Sequence, residues 1–160
     1  MNRFAIAAVL STCVAGQAAA LSCLPTSVAA TFQLASEAEA EYVVAVGRFQ
    51  PLPNQSLPGT GDDPNDKKGY SLKGRFGGRL GGPDGFTQEA VFPVTVEVRC
   101  DGPWCGGVPL DRVVAFIERR EGENILVANP CSVFSLSATP QVVDQAEVCL
   151  AGGPCEAAAR

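Results

Sequence analysis

Val113-Val114-Ala115-Phe116-Ile117 and Ile125-Leu126-Val127-Ala128 are two apolar, β-rich runs separated by Glu118-Arg119-Arg120-Glu121-Gly122-Glu123-Asn124. β-branched and aromatic residues fit a pleated, buried surface, and a charged connector holding a Gly and an Asn can turn between them. The stretch therefore predicts a β-hairpin. Its apolar strands need a partner layer.

Two further runs supply strands for that layer. Tyr42-Val43-Val44-Ala45-Val46 is short, nearly continuous and β-branched, as in a strand buried on both faces, and Gly47 behind it marks a bulge or bend. Val94, Val96 and Val98 alternate with Thr95, Glu97 and Arg99, the period of a strand with one face on a core and one in water. Pro93 restricts where that strand begins. Between these runs, residues 51–85 hold nine Gly and five Pro with few aliphatics. That composition predicts a long mobile loop or a loose hairpin rather than a packed layer.

Helices are expected at both ends of the β region. Pro25-Thr26-Ser27 offers a capping hydroxyl to a stripe of Val28, Phe32 and Ala35. Thr139-Pro140 offers a cap and a favoured first helical residue; Val142, Ala146, Cys149 and Leu150 share a face, and Gly152-Gly153 stops the helix. Few strands with apolar inner faces require closure or a helical cover, so this order predicts a small barrel or curled sheet with helices at its ends.

Asn2-Arg3, the apolar run Phe4–Val14 and Ala18-Ala19-Ala20 form the three regions of a secretory signal, residues 1–20, which leaves 21–160 as a single domain. No other stretch approaches the length of a membrane-spanning helix. Of seven cysteines, Cys13 would leave with the signal; Cys23, Cys100, Cys105, Cys131, Cys149 and Cys155 remain, an even set that in an exported chain means disulfides. Arg outnumbers Lys nine to three and Ala and Gly abound, the bias of GC-rich bacterial genomes, which would place the chain in a periplasm or the medium. Loss of Arg3 takes the formal charge from −5 to −6, which argues against nucleic acid and anionic membranes as general partners.

Cys23-Leu24-Pro25 with Phe32 before Tyr42–Val46, then Cys105-Gly106-Gly107-Val108-Pro109-Leu110, then Val113–Leu126 leading into Cys131-Ser132-Val133-Phe134, together resemble the netrin-like modules, the family that includes the N-terminal domain of tissue inhibitors of metalloproteinases. The resemblance implies a mainly β, five-stranded OB-like barrel with a short N-terminal and a C-terminal helix. It also implies a long-range bridge from Cys23 to Cys131; Cys100 with Cys105 and Cys149 with Cys155 then remain as local pairs, although spacing alone cannot select among fifteen connectivities. The inhibitors begin Cys-x-Cys and present the first cysteine's amino group to a target's zinc. Here that place falls on Leu21, which has no thiol, unless cleavage after Ser22 makes Cys23 the first residue.

The chain has no histidine, so Ser-His, Cys-His and His-ligated metal chemistry are excluded. Trp104-Cys105-Gly106-Gly107-Val108 has valine where a C-x-x-C motif needs its second cysteine. Asp62, Asp63, Asn65 and Asp66 lack the order of a calcium loop, no nucleotide fingerprint is present, and Glu118, Glu121 and Glu123 belong to a solvated turn. Asn54-Gln55-Ser56 matches a glycosylation sequon, relevant only where exported chains are modified there. No cofactor is expected. The candidate binding residues are Trp104 as an exposed anchor, and Lys67, Lys68, Lys73, Arg75 and Arg79 interleaved with Tyr70 and Phe76 in a loop suited to an anionic glycan or protein. These features lead to an expected exported, non-catalytic module binding another exported protein or an anionic envelope polymer. The alternative is a peptidase inhibitor acting through its N-terminal edge and Leu21.

Overall fold

In chain order the elements are α1 (Val28–Glu37), β1 (Glu41–Pro51), β2 (Tyr70–Gly82), β3 (Gly85–Val98), β4 (Cys100–Asp101), β5 (Trp104–Cys105), β6 (Val113–Arg120), β7 (Glu123–Ala128), β8 (Ser135–Ser137) and α2 (Pro140–Leu150). They come from a computed structural model that describes residues 23, 26–55, 65 and 67–156. The expected leader, Leu21, Ser56 of the sequon, and Asp62, Asp63 and Asp66 lie outside the described residues.

Strands β1, β2, β3, β7 and β6 pair in that order, and β6 returns to β1, which closes a five-stranded barrel; β8 adds to the first residues of β6, Val113 to Ala115. The join of β3 to β7 is parallel and the others around the ring are antiparallel. The chain is thus a mainly β, OB-like barrel with a helix at each end.

Side-chain alternation builds two cores from one sheet. Ala45, Phe49, Leu72, Phe76, Val94, Val96, Val98, Ala115, Ile117, Leu126 and Ala128 fill the barrel. The opposite face of β1 and β6, with Val44, Val46, Val114 and Phe116, packs against Val28 of α1, Ala146 of α2 and Phe86. This explains why Tyr42–Val46 reads as buried on both faces. Ser27 caps α1 through its Oγ, which accepts from the Ala30 N–H at 3.2 Å, and Thr139 caps α2 by accepting from Val142 N–H at 3.3 Å. Phe32 meets Phe116 edge-on at 4.9 Å, and the wholly buried Thr31 donates its hydroxyl to Val133 O at 2.8 Å, tying α1 to the segment after β7.

Disulfides join Cys23 to Cys131, Cys100 to Cys105 and Cys149 to Cys155. The first spans 108 residues and fastens the chain before α1 to the far side of the β6–β7 hairpin. That hairpin turns at Glu121-Gly122, both at positive φ (51° and 85°), so Gly122 and not Asn124 provides the turn.

The expectation of a loop over 51–85 is corrected for its second half: residues 70–82 form β2, which pairs with β3 across a tight turn at Pro83-Asp84 and with β1 on its other side. Its inward positions are Leu72, Gly74, Phe76, Gly78 and Leu80. A β-carbon on Gly74 would strike the Phe49 ring, and one on Gly78 would strike Val46 O. The glycines therefore permit β1 and β2 to cross closely, and they weaken the alternation that would announce a strand. Gly47 has the same role against Gly77 O and the Phe76 ring, and the register irregularity lies at Leu80/Gly82 instead. Pro93 also differs from expectation: it stands inside β3, opposite Arg75, just before the β7 pairing begins at Thr95.

Candidate functional site

Of the outward positions on the barrel, those on β1 change character halfway along the strand. Val44 and Val46 lie beneath the helices, but Arg48 and Gln50 are exposed. The register sets Arg48 beside Gly77, Gln50 beside Arg75, and Lys73, Arg75, Gly77 and Arg79 on the same outward face of β2. On β3 the opposing residues are Thr95, Pro93, Val91 and Glu89.

A cation is thus found at every second step. Lys73 and Arg75 are two residues apart; Arg48 fills the place next to Gly77, where β2 itself has no side chain; Arg79 follows, facing Glu89. At about 3.4 Å per residue, the row has a pitch of about 7 Å and a length of about 20 Å. Beside it Val91 is 61% exposed, a branched apolar residue with only Gly77 opposite. Directly across the ladders these cations meet Gly77, Gln50, Val46, Thr95, Pro93 and Glu89, so only Arg79 has an opposite charge facing it there.

The row ends at a groove of about 270 Å³ walled by Leu52, Lys73, Thr95, Gly122 of the β6–β7 turn, and Glu123 and Asn124 at the start of β7. Lys73 is held there by Gln55, whose Oε1 accepts from Lys73 N–H at 2.7 Å and whose Nε2 donates to Lys73 O at 2.7 Å, extending the β1 ladder with a side chain. Asn124 Nδ2 donates to Pro93 O at 2.9 Å, covering the edge of β3. Its Oδ1 is closed off from solvent and is the one buried side-chain oxygen or nitrogen without a partner among the described residues. A buried acceptor in that state is costly.

Elsewhere the charges satisfy one another. Arg120 holds Glu118 through two bonds of 2.8 Å and reaches Glu97 at 2.8 Å, and Glu97 also meets Arg99 at 3.3 Å. The hydrogen bond from Arg120 keeps the Glu118 carboxyl below its ordinary range despite partial burial, and Arg120 is raised in turn, first by Glu118. Burial, then Glu118, pushes the Tyr42 phenol up; its ring stacks on Phe134 at 5.3 Å. Glu118 is therefore a strand residue in a structural ion-pair chain, separate from the turn that holds Glu121.

The candidates named from sequence divide accordingly. Lys73, Arg75 and Arg79 come together on one face. Lys67 and Lys68 are exposed just before β2, where Lys67 N–H donates to Gly102 O at 3.2 Å. Phe76 is a correction: it is wholly buried, ring to ring with Phe92 at 5.9 Å, because even-numbered residues of β2 point inward. Tyr70 packs half-buried on the same core. Trp104 is exposed, but on the separate β4–β5 ribbon closed by Cys100–Cys105. Sequence reasoning missed Arg48, Val91 and Asn124. The continued alternation Gly47-Arg48-Phe49-Gln50 was a usable sign for the first.

No family model, curated protein or solved structure matches this chain. The functional reading therefore rests on the face itself. Among the described residues, no helix is long and apolar enough to cross a membrane.

Proposed function

We propose that this chain is an exported, non-catalytic binding module of the netrin-like kind, working in a periplasm or the medium, whose partner lies on the outer face of β1, β2 and β3. The observation that carries this is the row Lys73, Arg75, Arg48, Arg79, four cations gathered on the uncovered side of a chain whose formal charge is −5. An acidic protein that concentrates positive charge on one bare face attracts an acidic partner while its remaining surface repels it, which fixes orientation. OB-like barrels offer this face and the adjoining loops to their ligands. The leader-like start and the three disulfides support export.

The test compares the wild type with an Arg48→Glu/Lys73→Glu/Arg75→Glu variant for co-sedimentation with envelope material from the exporting cell. The wild type is expected to sediment and the variant to stay in solution with an unchanged unfolding midpoint. Equal sedimentation of the two would remove the face from the account.

A second reading, a metalloproteinase-type peptidase inhibitor acting through its N-terminal edge, has one observation in its favour: Cys23 is bonded to Cys131, the attachment such an edge needs. It predicts that the same triple variant inhibits peptidases as well as the wild type does.

A further inference from the structure

The two sides of β3 are flanked unevenly. On one side the ladder with β2 is regular from Gln88 to Val98; on the other, β7 accompanies β3 only from Thr95 to Val98. The edge before Thr95 is open. Side chains close its two ends: Asn124 Nδ2 donates to Pro93 O at 2.9 Å, and Phe86 N–H donates to Glu147 Oε1 at 3.4 Å. Pro93 O therefore points away from β2, as does Arg99 N–H, which donates to Ala128 O at 2.9 Å. By the alternation of a strand, the N–H and C=O groups of Glu89 and Val91 point to the same open side, and among the described residues nothing meets them. Thr87, Gln88, Glu89 and Val91 are exposed.

We infer that this edge is a dimer interface, on which β3 of a second copy pairs antiparallel about Val91. Another extended backbone is what matches unpaired N–H and C=O groups at this spacing. Self-complementarity selects the second copy. Centred on Val91, the pairing sets the two Val91 side chains, each 61% exposed in the single chain, against one another and places Glu89 of one copy beside Pro93 of the other. Arg75 lies across the ladder from Pro93, so the Glu89 carboxylate and the Arg75 guanidinium of the two copies face each other over the flat proline ring, with backbones about 10 Å apart. Neither side chain has an ion pair within its own chain among the described residues. Pro93 O has a second lone pair for Glu89 N–H beside Asn124, and the missing proline N–H falls at the outermost pair. Centring on Glu89 or Ala90 instead would set the two Glu89 carboxylates opposite or diagonal to each other, which repels. The register irregularity past Gln88 bends β3 away before it reaches β7 of the second copy. The outer faces of the two barrels then run on as one surface, still open to the partner proposed above.

Analytical ultracentrifugation of the purified chain, from micromolar to submillimolar concentration, is expected to show a reversible monomer–dimer equilibrium. Val91→Pro removes an N–H that points to the open edge and no bond of the β2–β3 ladder, so it should leave the unfolding midpoint unchanged and the protein monomeric throughout. Glu89→Lys and Arg75→Glu should each weaken the dimer by at least about tenfold, and the two together should restore it to within about threefold of the wild type. That charge exchange decides the matter even where the proline variant fails to fold. A monomer at every concentration overturns the inference, and so does a dimer that Val91→Pro leaves intact or a double exchange that does not recover. In each of these cases the binding face stands or falls by its own co-sedimentation test.

Discussion

The outer surface of the barrel has two halves that share β1. Under α1 and α2 its outward residues are Val44 and Val46; beyond the helices they are Arg48 and Gln50. One half uses its outward positions to bury apolar surface and bind helices; the other leaves them open and sets four cations among them. The lesson is that stability and recognition occupy different halves of one outer surface. Substitutions should therefore separate cleanly into those that unfold the protein and those that silence it.

The largest effect is expected on the covered side, where Cys23–Cys131 closes a loop of 108 residues. Replacing both by serine should cost about 4 to 5 kcal/mol in urea unfolding. A loss under about 1 kcal/mol would mean that α1 docks without its tether. Next, Phe116→Ala removes a ring that is 1% exposed and sits against Phe32, for an expected loss of about 3 to 5 kcal/mol. A smaller figure would show that the helical cover is looser than its packing.

Smaller effects follow from the charged chain. Glu118→Gln should destabilise by about 1 kcal/mol at neutral pH. Because the Glu118 carboxyl is lowered in the folded state, its contribution is present above the ordinary carboxylate pKa and is lost as pH falls through the folded value. The unfolding curves of the wild type and of this variant should thus converge in acid; parallel curves would mean that the Arg120 contact carries no net energy. Smallest of all, Arg75→Ala should shift stability by no more than about 0.5 kcal/mol while weakening ligand retention. A large loss of stability would turn the bare face into a structural one.

Much of this division was legible in the sequence. The β6–β7 hairpin, the run Tyr42–Val46, the alternation Val94–Val98 and both helix caps lie where their residue patterns put them, because in each the period of apolar residues matches the burial. β2 was hidden for a physical reason: at Gly74 and Gly78 the barrel has no room for a side chain, so two of its inward positions carry no apolar signal. The site was legible in part for the same reason. Lys73, Arg75 and Arg79 stood out as a basic cluster, yet their common face emerges only once β2 is a strand, and Arg48 joins them through a pairing no local pattern contains. Phe76 looked like an interleaved aromatic in a loop; strand parity turns it inward. Asn124 read as a turn former, whereas Glu121-Gly122 make the turn and leave Asn124 to cover the β3 edge through its bond to Pro93 O.

One measurement bears most directly on the two-sided barrel: valine-methyl and arginine Nε–H NMR spectra of the domain with and without sub-stoichiometric envelope fragments. The account predicts broadening of Val91, Arg48, Arg75 and Arg79 while Val28, Val46 and Val114 stay sharp. Broadening confined to the helix-covered valines, with the row unchanged, would contradict it.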